Sequence, residues 1–245
     1  MTDGKNITIV HPSSTEEYIE LHASSAFSFL AGSSQPESFV ERAVELGMPS
    51  IALADRNGVY GSARFHTSAK HNGIKAHIGA EIAVSSFGSK LVPPAWLPHQ
   101  CLAEPPRIVL LCTSQLGYQN LCQLITRFKM RETTKAEGAA QFDDLEEFSS
   151  GLICLTGGDE GPLAAALAQG GAEAAHASLE RLVSIYGRHN LYVELQRHCE
   201  REEECRNTSL LDIALRLSLP LIATNGVRCA RQDDRELLEI GRAHV

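Results

Sequence analysis

One short stretch decides the fold: Tyr18-Ile19-Glu20-Leu21-His22-Ala23-Ser24-Ser25. A β-strand directs alternate side chains to opposite faces, so a strand ending in His-x-His would aim two imidazoles into one pocket. Such a pair suits a divalent transition metal. Here His22 is present, but Ser24 stands at the second position, and a hydroxyl is a poor ligand for such a metal. The stretch therefore predicts a first strand that leads to a metal site, either active or a relic.

The composition is typical of a soluble globular domain. The 245 residues are 43% hydrophobic and 21% charged, with a net charge of −8. No apolar run reaches the roughly 20 residues that span a bilayer, and the first residues lack a signal-peptide pattern. Seven cysteines without CxxC pairs indicate free thiols in a reducing compartment. We therefore expect a cytoplasmic protein with no membrane partner. Its net negative charge disfavours binding of a nucleic acid backbone by this chain alone.

Strands and helices alternate along the chain. The expected strands are 17–22, 50–55, 76–84, 107–112, 151–156, 191–195 and 221–224. The expected helices are 35–46, 60–70, 116–130, 162–169, 172–186, 202–217 and 233–239. This alternation predicts an α/β protein with a mainly parallel sheet covered by helices. A closed or nearly closed βα barrel accommodates the strands best, and an open doubly wound sheet is the second choice.

Functional residues of such folds collect where the strands end. Four ligand-type side chains stand at those ends: His22, Asp55, Glu81 and His198. Two imidazoles and two carboxylates from four strands suit Zn, Mn or Fe. Each also has an ordinary structural explanation. A histidine near a strand end is usually a surface or satisfied core residue, and Asp55 before Asn57-Gly58 is placed to cap a turn.

Other reaction classes find little support in the sequence. There is no G-x-S-x-G nucleophile elbow. The segment Gly157-Gly158-Asp159-Glu160-Gly161 is rich in glycine, but no Lys-Ser/Thr pair follows it, so it does not predict a phosphate-binding P-loop. The acidic run Asp143-Asp144-Leu145-Glu146-Glu147 is typical of a solvated helix start.

Several longer motifs are distributed along the chain. They include Phe27-Ser28-Phe29-Leu30, Ala52-Leu53-Ala54-Asp55-Arg56-Asn57-Gly58-Val59-Tyr60-Gly61, Ile78-Gly79-Ala80-Glu81, Tyr192-Val193-Glu194-Leu195-Gln196-Arg197-His198 and Ala223-Thr224-Asn225-Gly226-Val227-Arg228. Together with Tyr18-x-Glu20-Leu21-His22 they resemble the PHP (polymerase and histidinol phosphatase) domain. The resemblance is greatest to the N-terminal domain of error-prone, C-family relatives of the bacterial DNA polymerase III alpha subunit. It implies a distorted seven-stranded βα barrel with a metal-site face at the strand C-termini.

The chain departs from the PHP pattern at half of the ligand positions. The matching positions are His22, Asp55, Glu81 and His198. The replaced positions are Ser24, Arg56, Gly226 and Arg228, where the pattern has His, His, Asp and His. A guanidinium offers only donors, so it cannot bind a metal, but it can pair with carboxylates left behind. We therefore expect vestigial metal positions, no catalytic residue, and one or both arginines within salt-bridge reach of Asp55, Glu81 or a neighbouring acid.

The resemblance also implies boundaries. We expect a tail over residues 1–17 and a PHP domain over 18–239. Residues 240–245 resemble a translated sequencing-adapter fragment and are expected to be an artefactual tail that packs against nothing. The chain is then an N-terminal fragment of a polymerase, and the nucleotidyl-transfer site with its Mg²⁺ ions belongs to the missing part.

The function that this implies is that of a module in an error-prone DNA-directed DNA polymerase. Such an enzyme acts in damage-tolerant DNA synthesis and repair. The expected partners are the rest of the polymerase chain, DNA through the full-length enzyme, and other damage-response polymerase components, and the fragment itself needs no cofactor. The alternative is a metal-dependent phosphoesterase or 3′–5′ exonuclease of the PHP family that holds Zn or Mn. Metal content distinguishes the two.

Overall fold

The computed structural model describes residues 18–85, 105–131 and 138–243, with side chains described up to residue 240. Within these ranges six strands form one curled sheet, in which each strand lies beside its neighbours in the sequence. They are β1 (Ser50–Arg56), β2 (Lys75–Ala83), β3 (Arg107–Cys112), β4 (Leu152–Leu155), β5 (Leu191–Gln196) and β6 (Leu221–Thr224). The predicted α/β class is therefore confirmed.

Helices cover the outer face of the sheet. They are α1 (Pro36–Glu45), α2 (Ser62–Asn72), α3 (Gln115–Arg131), α4 (Phe142–Glu147), α5 (Pro162–Tyr186), α6 (Arg201–Arg216) and α7 (Asp233–Ala243). The two helices predicted at 162–169 and 172–186 appear as α5 with a break at Gly171, whose φ of +68° is not helical. None of the helices in the described ranges combines the length and apolarity that a membrane crossing requires.

The sheet is mixed. β1–β2, β4–β5 and β5–β6 are parallel, but β3 runs antiparallel to both of its neighbours. The sequence pattern predicted the position of β3 but not its direction. Because β3 is reversed, its first residue, Arg107, lies beside Ala83 at the end of β2. The start of β3 thus shares an edge of the sheet with the C-terminal ends of the other strands.

The strand predicted at 17–22 is present only as isolated bridges. Glu20 pairs with Ile51 of β1, and Ala23 pairs with Val227 beyond β6. The amide of Val227 donates to the carbonyl of His22 at 2.8 Å. The segment 20–24 therefore lies between β1 and the residues after β6. The described residues form a curled six-stranded sheet, and the complete seven-stranded barrel expected from the resemblance is not established.

The last helix extends beyond its predicted end. The last helix was expected to end at Glu239, but α7 continues to Ala243. None of Ile240, Gly241 and Arg242 is a proline, so no proline ends α7 at Glu239. Residues 244–245 and the packing of the side chains after residue 240 lie outside the described residues, as does the N-terminal tail 1–17.

The two faces of β1 pack against different cores. Ile51 and Leu53 face outward, where they join Phe39 of α1 and Phe65 of α2. Ala52 and Ala54 face the inside of the curl, where the buried apolar side chains come from β3 and β4. This alternation follows from the two-residue period of a strand. The inner face of β1 is thus apolar at Ala52 and Ala54, and its C-terminal end can carry polar side chains.

A close backbone approach anchors α3 to the start of β4. A Cβ added at Gly117 would lie 1.9 Å from the carbonyl oxygen of Gly151. Since a backbone atom cannot move aside as a side chain does, we expect Gly117→Ala to lower the free energy of unfolding by about 1–3 kcal/mol. Denaturant titration measures this. Gln119→Ala, at an exposed position of the same helix, is the control and should match the parent chain. Equal stability of both variants would contradict this packing.

Candidate functional site

A polar pocket lies on the inside of the curl, at the edge where β1, β2 and β5 end and β3 begins. Its charged and polar lining includes His22, Glu81, Arg107, Glu160, Gln196 and Arg228. The remaining space is about 20 Å³. That is enough for about one water molecule. The polar end of the space inside the curled sheet is therefore nearly filled by the protein's own side chains.

An ion pair forms the floor of this pocket. Nδ1 of His22 lies 2.7 Å from Oε1 of Glu194, and both side chains are buried. The same carboxylate oxygen accepts a hydrogen bond from Nε2 of Gln196 at 2.9 Å and one from the hydroxyl of Thr224. Oε2 of Glu194 is buried and has no hydrogen-bond partner within the described part of the chain. The carboxylate therefore depends on His22 for most of its charge compensation.

The pKa values of the pair agree with an ionised state. Burial by itself lowers the pKa of His22, but the neighbouring carboxylates, Glu194 first among them, raise it from 6.5 to about 9. Burial likewise raises the pKa of Glu194, but His22 outweighs it and holds this pKa below its usual value. Both pKa shifts have the same origin, since the charge on each group favours the charged form of the other. The short contact with Glu194 thus already engages Nδ1 of His22.

Two arginines bridge the carboxylates above this floor. Nε of Arg56 lies 3.2 Å from Oε2 of Glu81, and Nη2 of Arg56 also pairs with Glu160. Nη2 of Arg228 lies 2.7 Å from Oε1 of Glu160. The salt-bridge pairing expected for Arg56 and Arg228 is thus confirmed, with Glu81 and with Glu160 as the neighbouring acid. Burial raises the pKa of Glu160, but Arg56 and Arg228 outweigh it and lower that pKa to about 2.

His22 and Glu81 are the two predicted ligands that meet in the pocket. Nε2 of His22 lies 4.0 Å from Oε1 of Glu81. Asp55 is buried but lies on the opposite face of β1 from Arg56, since neighbouring strand residues point to opposite faces. Its Oδ1 accepts hydrogen bonds from Ser25 and Ser28, and its Oδ2 accepts one from the amide of Gly61. Asp55 therefore orders the loops beside the pocket.

His198 lies outside the pocket as well. Its side chain is about half exposed, and its two ring nitrogens have separate partners. Nδ1 lies 2.8 Å from Oε1 of Glu203, and Nε2 lies 2.9 Å from the carbonyl oxygen of Asn225. The hydrogen bond with Glu203 raises the pKa of His198 above its usual value. His198 therefore links the end of β5 to the start of α6 and to the segment after β6.

The remaining replaced positions offer nothing to a metal. The hydroxyl of Ser24 donates to the carbonyl oxygen of Ala54 at 2.9 Å. Gly226 has a φ of +57°, and a Cβ added there would lie 2.6 Å from Nε2 of Gln196. An aspartate at 226 would therefore meet backbone strain, and the end of the Gln196 side chain would have to shift to admit it. Glycine suits this position because its φ is positive.

The residues that line the pocket do not fit a metal centre of the PHP kind. Across 18–85, 105–131 and 138–243, no three His, Cys, Asp or Glu side chains are grouped so as to hold a metal ion. Glu81 is held by Arg56, and the imidazole of His22 is held by Glu194. Arg56 and Arg228 add fixed positive charges, which oppose a divalent cation. The arrangement is that of an ion-pair network.

Four important pocket residues escaped the sequence analysis: Arg107, Glu160, Glu194 and Gln196. A signal existed for two of them, because Glu194 and Gln196 are two residues apart in an otherwise apolar strand and must share its inner face. Nothing in the sequence pattern indicates Arg107, because β3 is reversed and brings its first residue, not its last, to that edge. Glu160 stands in a glycine-rich segment that lacks the Lys-Ser/Thr pair of a P-loop, and no other local pattern marks it as a site residue.

Comparison with known proteins identifies the family. The family model "PHP domain" matches residues 20–198. The chain is 32% identical over 225 residues to an error-prone DNA polymerase of Mycolicibacterium paratuberculosis, covering 91% of this chain and 20% of the relative. It is 31% identical over 214 residues to a DNA polymerase III subunit alpha of Caulobacter vibrioides, covering 87% and 18%. The chain thus spans about a fifth of the length of these relatives.

Solved structures share the fold at low sequence identity. A protein from Bifidobacterium adolescentis assigned as a metal-dependent phosphoesterase superposes with a TM-score of 0.56 at 11% identity, over 92% of this chain and 96% of that one. An amidohydrolase from Chromobacterium violaceum gives a TM-score of 0.54 at 14% identity, over 91% and 96%. At these identities the likeness concerns the fold alone. With the family model covering most of its length, the chain belongs to the PHP domain family.

Proposed function

We propose that this chain is the PHP module of an error-prone DNA polymerase and has no hydrolase activity of its own. The polymerase assignment rests on the similarity to error-prone DNA polymerases over about nine-tenths of the chain. Because the chain spans a fifth of those relatives, template-directed synthesis and its Mg²⁺ ions belong to the rest of such a polymerase. The module then contributes structure to an enzyme of damage-tolerant DNA synthesis and repair.

We infer the loss of hydrolase activity from one observation: Arg56 pairs with two carboxylates. This arginine stands where the PHP pattern has a histidine ligand, and it holds both Glu81 and Glu160. The acid that would bind a metal is thus neutralised by a permanent cation. In this proposal the segment 20–24 serves as a seventh, irregular strand that completes the barrel between β1 and the residues after β6.

The proposed partners follow from the length of the relatives. The rest of the polymerase chain is the first partner, and DNA and other damage-response components are reached through it in the cytoplasm. Sequencing the source genome beyond the codon for Glu239 tests this proposal. A continuous frame that encodes the carboxylates of a polymerase active site supports the proposal, and a native stop codon at that point overturns it.

Metal content tests the loss of hydrolase activity. We expect the purified chain to contain far less than one Zn or Mn per molecule and to show no hydrolysis of a phosphate ester, because arginines occupy the ligand positions. Elemental analysis and a chromogenic phosphate ester assay measure this. Stoichiometric metal, together with hydrolysis that a chelator abolishes and that Glu81→Gln removes, would establish the alternative metallo-phosphoesterase. Glu204→Gln, which removes the half-exposed partner of Arg197, is the matched control variant.

A further inference from the structure

Another pocket lies on the outer side of β1, between α1 and the segment that follows β6. Its volume is about 150 Å³. An apolar cavity of about this volume is large enough to hold a benzene ring. Most of the wall consists of apolar side chains: Phe39, Ala43, Leu46, Met48, Ile51, Val227 and Ala230. Because side chains around an empty apolar space lack packing contacts, this pocket favours an apolar occupant.

The polar part of the wall is a hydrogen-bonded group of Tyr18, Glu20 and Asn225. The hydroxyl of Tyr18 donates to Oε2 of Glu20 at 2.6 Å, and Nδ2 of Asn225 donates to Oη of Tyr18 at 2.9 Å. The hydroxyl proton of Tyr18 is thus already used by Glu20. A ligand with N–H donors suits this group better than one with acceptors, because the carboxylate of Glu20 and Oδ1 of Asn225 are acceptors only.

The carboxylate of Glu20 is buried, since the residue is only 2% exposed. Besides Tyr18, its donors are the backbone amides of His22 at 2.8 Å and of Asn225 at 3.0 Å. These donors leave about one of the four acceptor sites of a carboxylate open. Within 18–85, 105–131 and 138–243, no arginine, lysine or histidine side chain forms an ion pair with Glu20. The buried acid therefore has hydrogen bonds but no cationic partner in these ranges.

The cationic side chains near this acid are engaged elsewhere. The imidazolium of His22 is held by Glu194 at 2.7 Å, and Arg42, which also lines the pocket, is held by Glu45 at 3.0 Å. Burial raises the pKa of Glu20 above its usual value, although its hydrogen bonds and the charge of His22 act in the other direction. A positive charge in the pocket would favour the ionised carboxylate, because opposite charges attract more strongly where water is excluded.

We propose that this pocket binds a small apolar amine, with its body among the apolar side chains and its protonated amino group beside Glu20. An ammonium group brings three N–H donors and a positive charge, which match the acceptors of Glu20 and Asn225. The volume limits the body to about one six-membered ring. The inference goes beyond the proposed function and does not depend on it, since the residues of the ion-pair network do not line this pocket.

The test is an NMR titration of the 245-residue chain carrying ¹³C labels on its methionine methyl groups. Met48 lines the pocket, whereas Met130 is 81% exposed on α3 and serves as an internal reference. The probes are benzylamine and benzyl alcohol, which have nearly the same shape and differ in charge. We expect benzylamine to shift the Met48 signal saturably and to bind about tenfold more tightly than benzyl alcohol. The Met130 signal should stay unchanged.

Two variants locate the binding. Glu20→Gln should remove the preference for benzylamine, because its side chain keeps the size and loses the charge. Ala43→Leu should weaken the binding of both probes about tenfold, because the longer side chain fills the pocket. Val44→Leu, at a 41% exposed position of the same helix, is the matched control and should bind both probes like the parent chain.

Several results would overturn the inference. They are equal affinity of the parent chain for the two probes, the lack of a saturable shift at Met48, and a preference for benzylamine that survives Glu20→Gln. Affinities that Ala43→Leu leaves unchanged would place the binding elsewhere and overturn it as well. If Glu20→Gln does not fold, the comparison of the two probes in the parent chain and in Ala43→Leu decides.

Discussion

Replacing Glu194 by glutamine is expected to lower the free energy of unfolding by about 3–5 kcal/mol at neutral pH. The side chain of Glu194 is fully buried and holds the buried imidazolium of His22 at 2.7 Å. Without the carboxylate charge, His22 either stays charged without its main partner or loses its proton in a polar cavity. The first alternative leaves a buried charge without its compensating partner, and the second gives up the charge-assisted hydrogen bond of the pair. Denaturant titration of the parent chain and the variant measures the loss.

The same pair gives stability a defined pH dependence. The pKa of His22 is raised from 6.5 to about 9, so its contribution is fully present below pH 6.5 and is lost as pH rises through about 9. The pKa of Glu194 is lowered from 4.5, so its contribution is present above pH 4.5 and is lost as pH falls through the folded value. We expect the pair to stabilise the fold most between pH 4.5 and 6.5.

The variant should lose this dependence. In Glu194→Gln, the fall in stability between pH 6.5 and 9 should become much smaller, because the main group that raises the pKa of His22 is gone. Glu147→Gln, which removes an exposed partner of Arg127, is the control and should keep the parent profile. A Glu194→Gln profile parallel to that of the parent chain would show that the two buried groups are not ionised together.

The sequence predicted the elements of the fold well but not the direction of every strand. Apolar runs bounded by glycine and proline located all six strands, because burial on both faces leaves a plain compositional signal. The direction of β3 was not predictable in this way, since hydrophobic periodicity is the same for a strand read from either end. That direction depends on the connection between β2 and β3, which carries no periodic pattern of its own.

The candidate site was predicted only in part, because local patterns do not show which distant side chains meet. His22 and Glu81 were placed correctly in one pocket, because both stand at strand ends on the inner face. Asp55 was placed there too, although the alternation along β1 directs it away from the side chain of Arg56. Glu160 was not foreseen, since no local pattern shows that a loop residue will reach two arginines more than 60 positions away. Long-range charge pairing follows from the folded geometry.

Arg56→Ala is expected to lower the free energy of unfolding by about 3 kcal/mol, at the lower end of the range for broken buried pairs, because Arg56 is slightly exposed. Its loss leaves Glu81 without its 3.2 Å partner, and Glu160 keeps Arg228. Arg235→Ala, on the exposed surface of α7, is the control and should change stability little.

A double-mutant cycle separates the ion pair from the packing of the arginine side chain. Combining Arg56→Ala with Glu81→Gln removes both charges, so the double variant should be more stable than the sum of the two single losses predicts. The expected coupling lies well above the roughly 0.5 kcal/mol within which independent sites add. Additive losses would mean that Arg56 contributes through its packing alone. A positive coupling shows that the guanidinium of Arg56 stabilises the carboxylate of Glu81 through their ion pair.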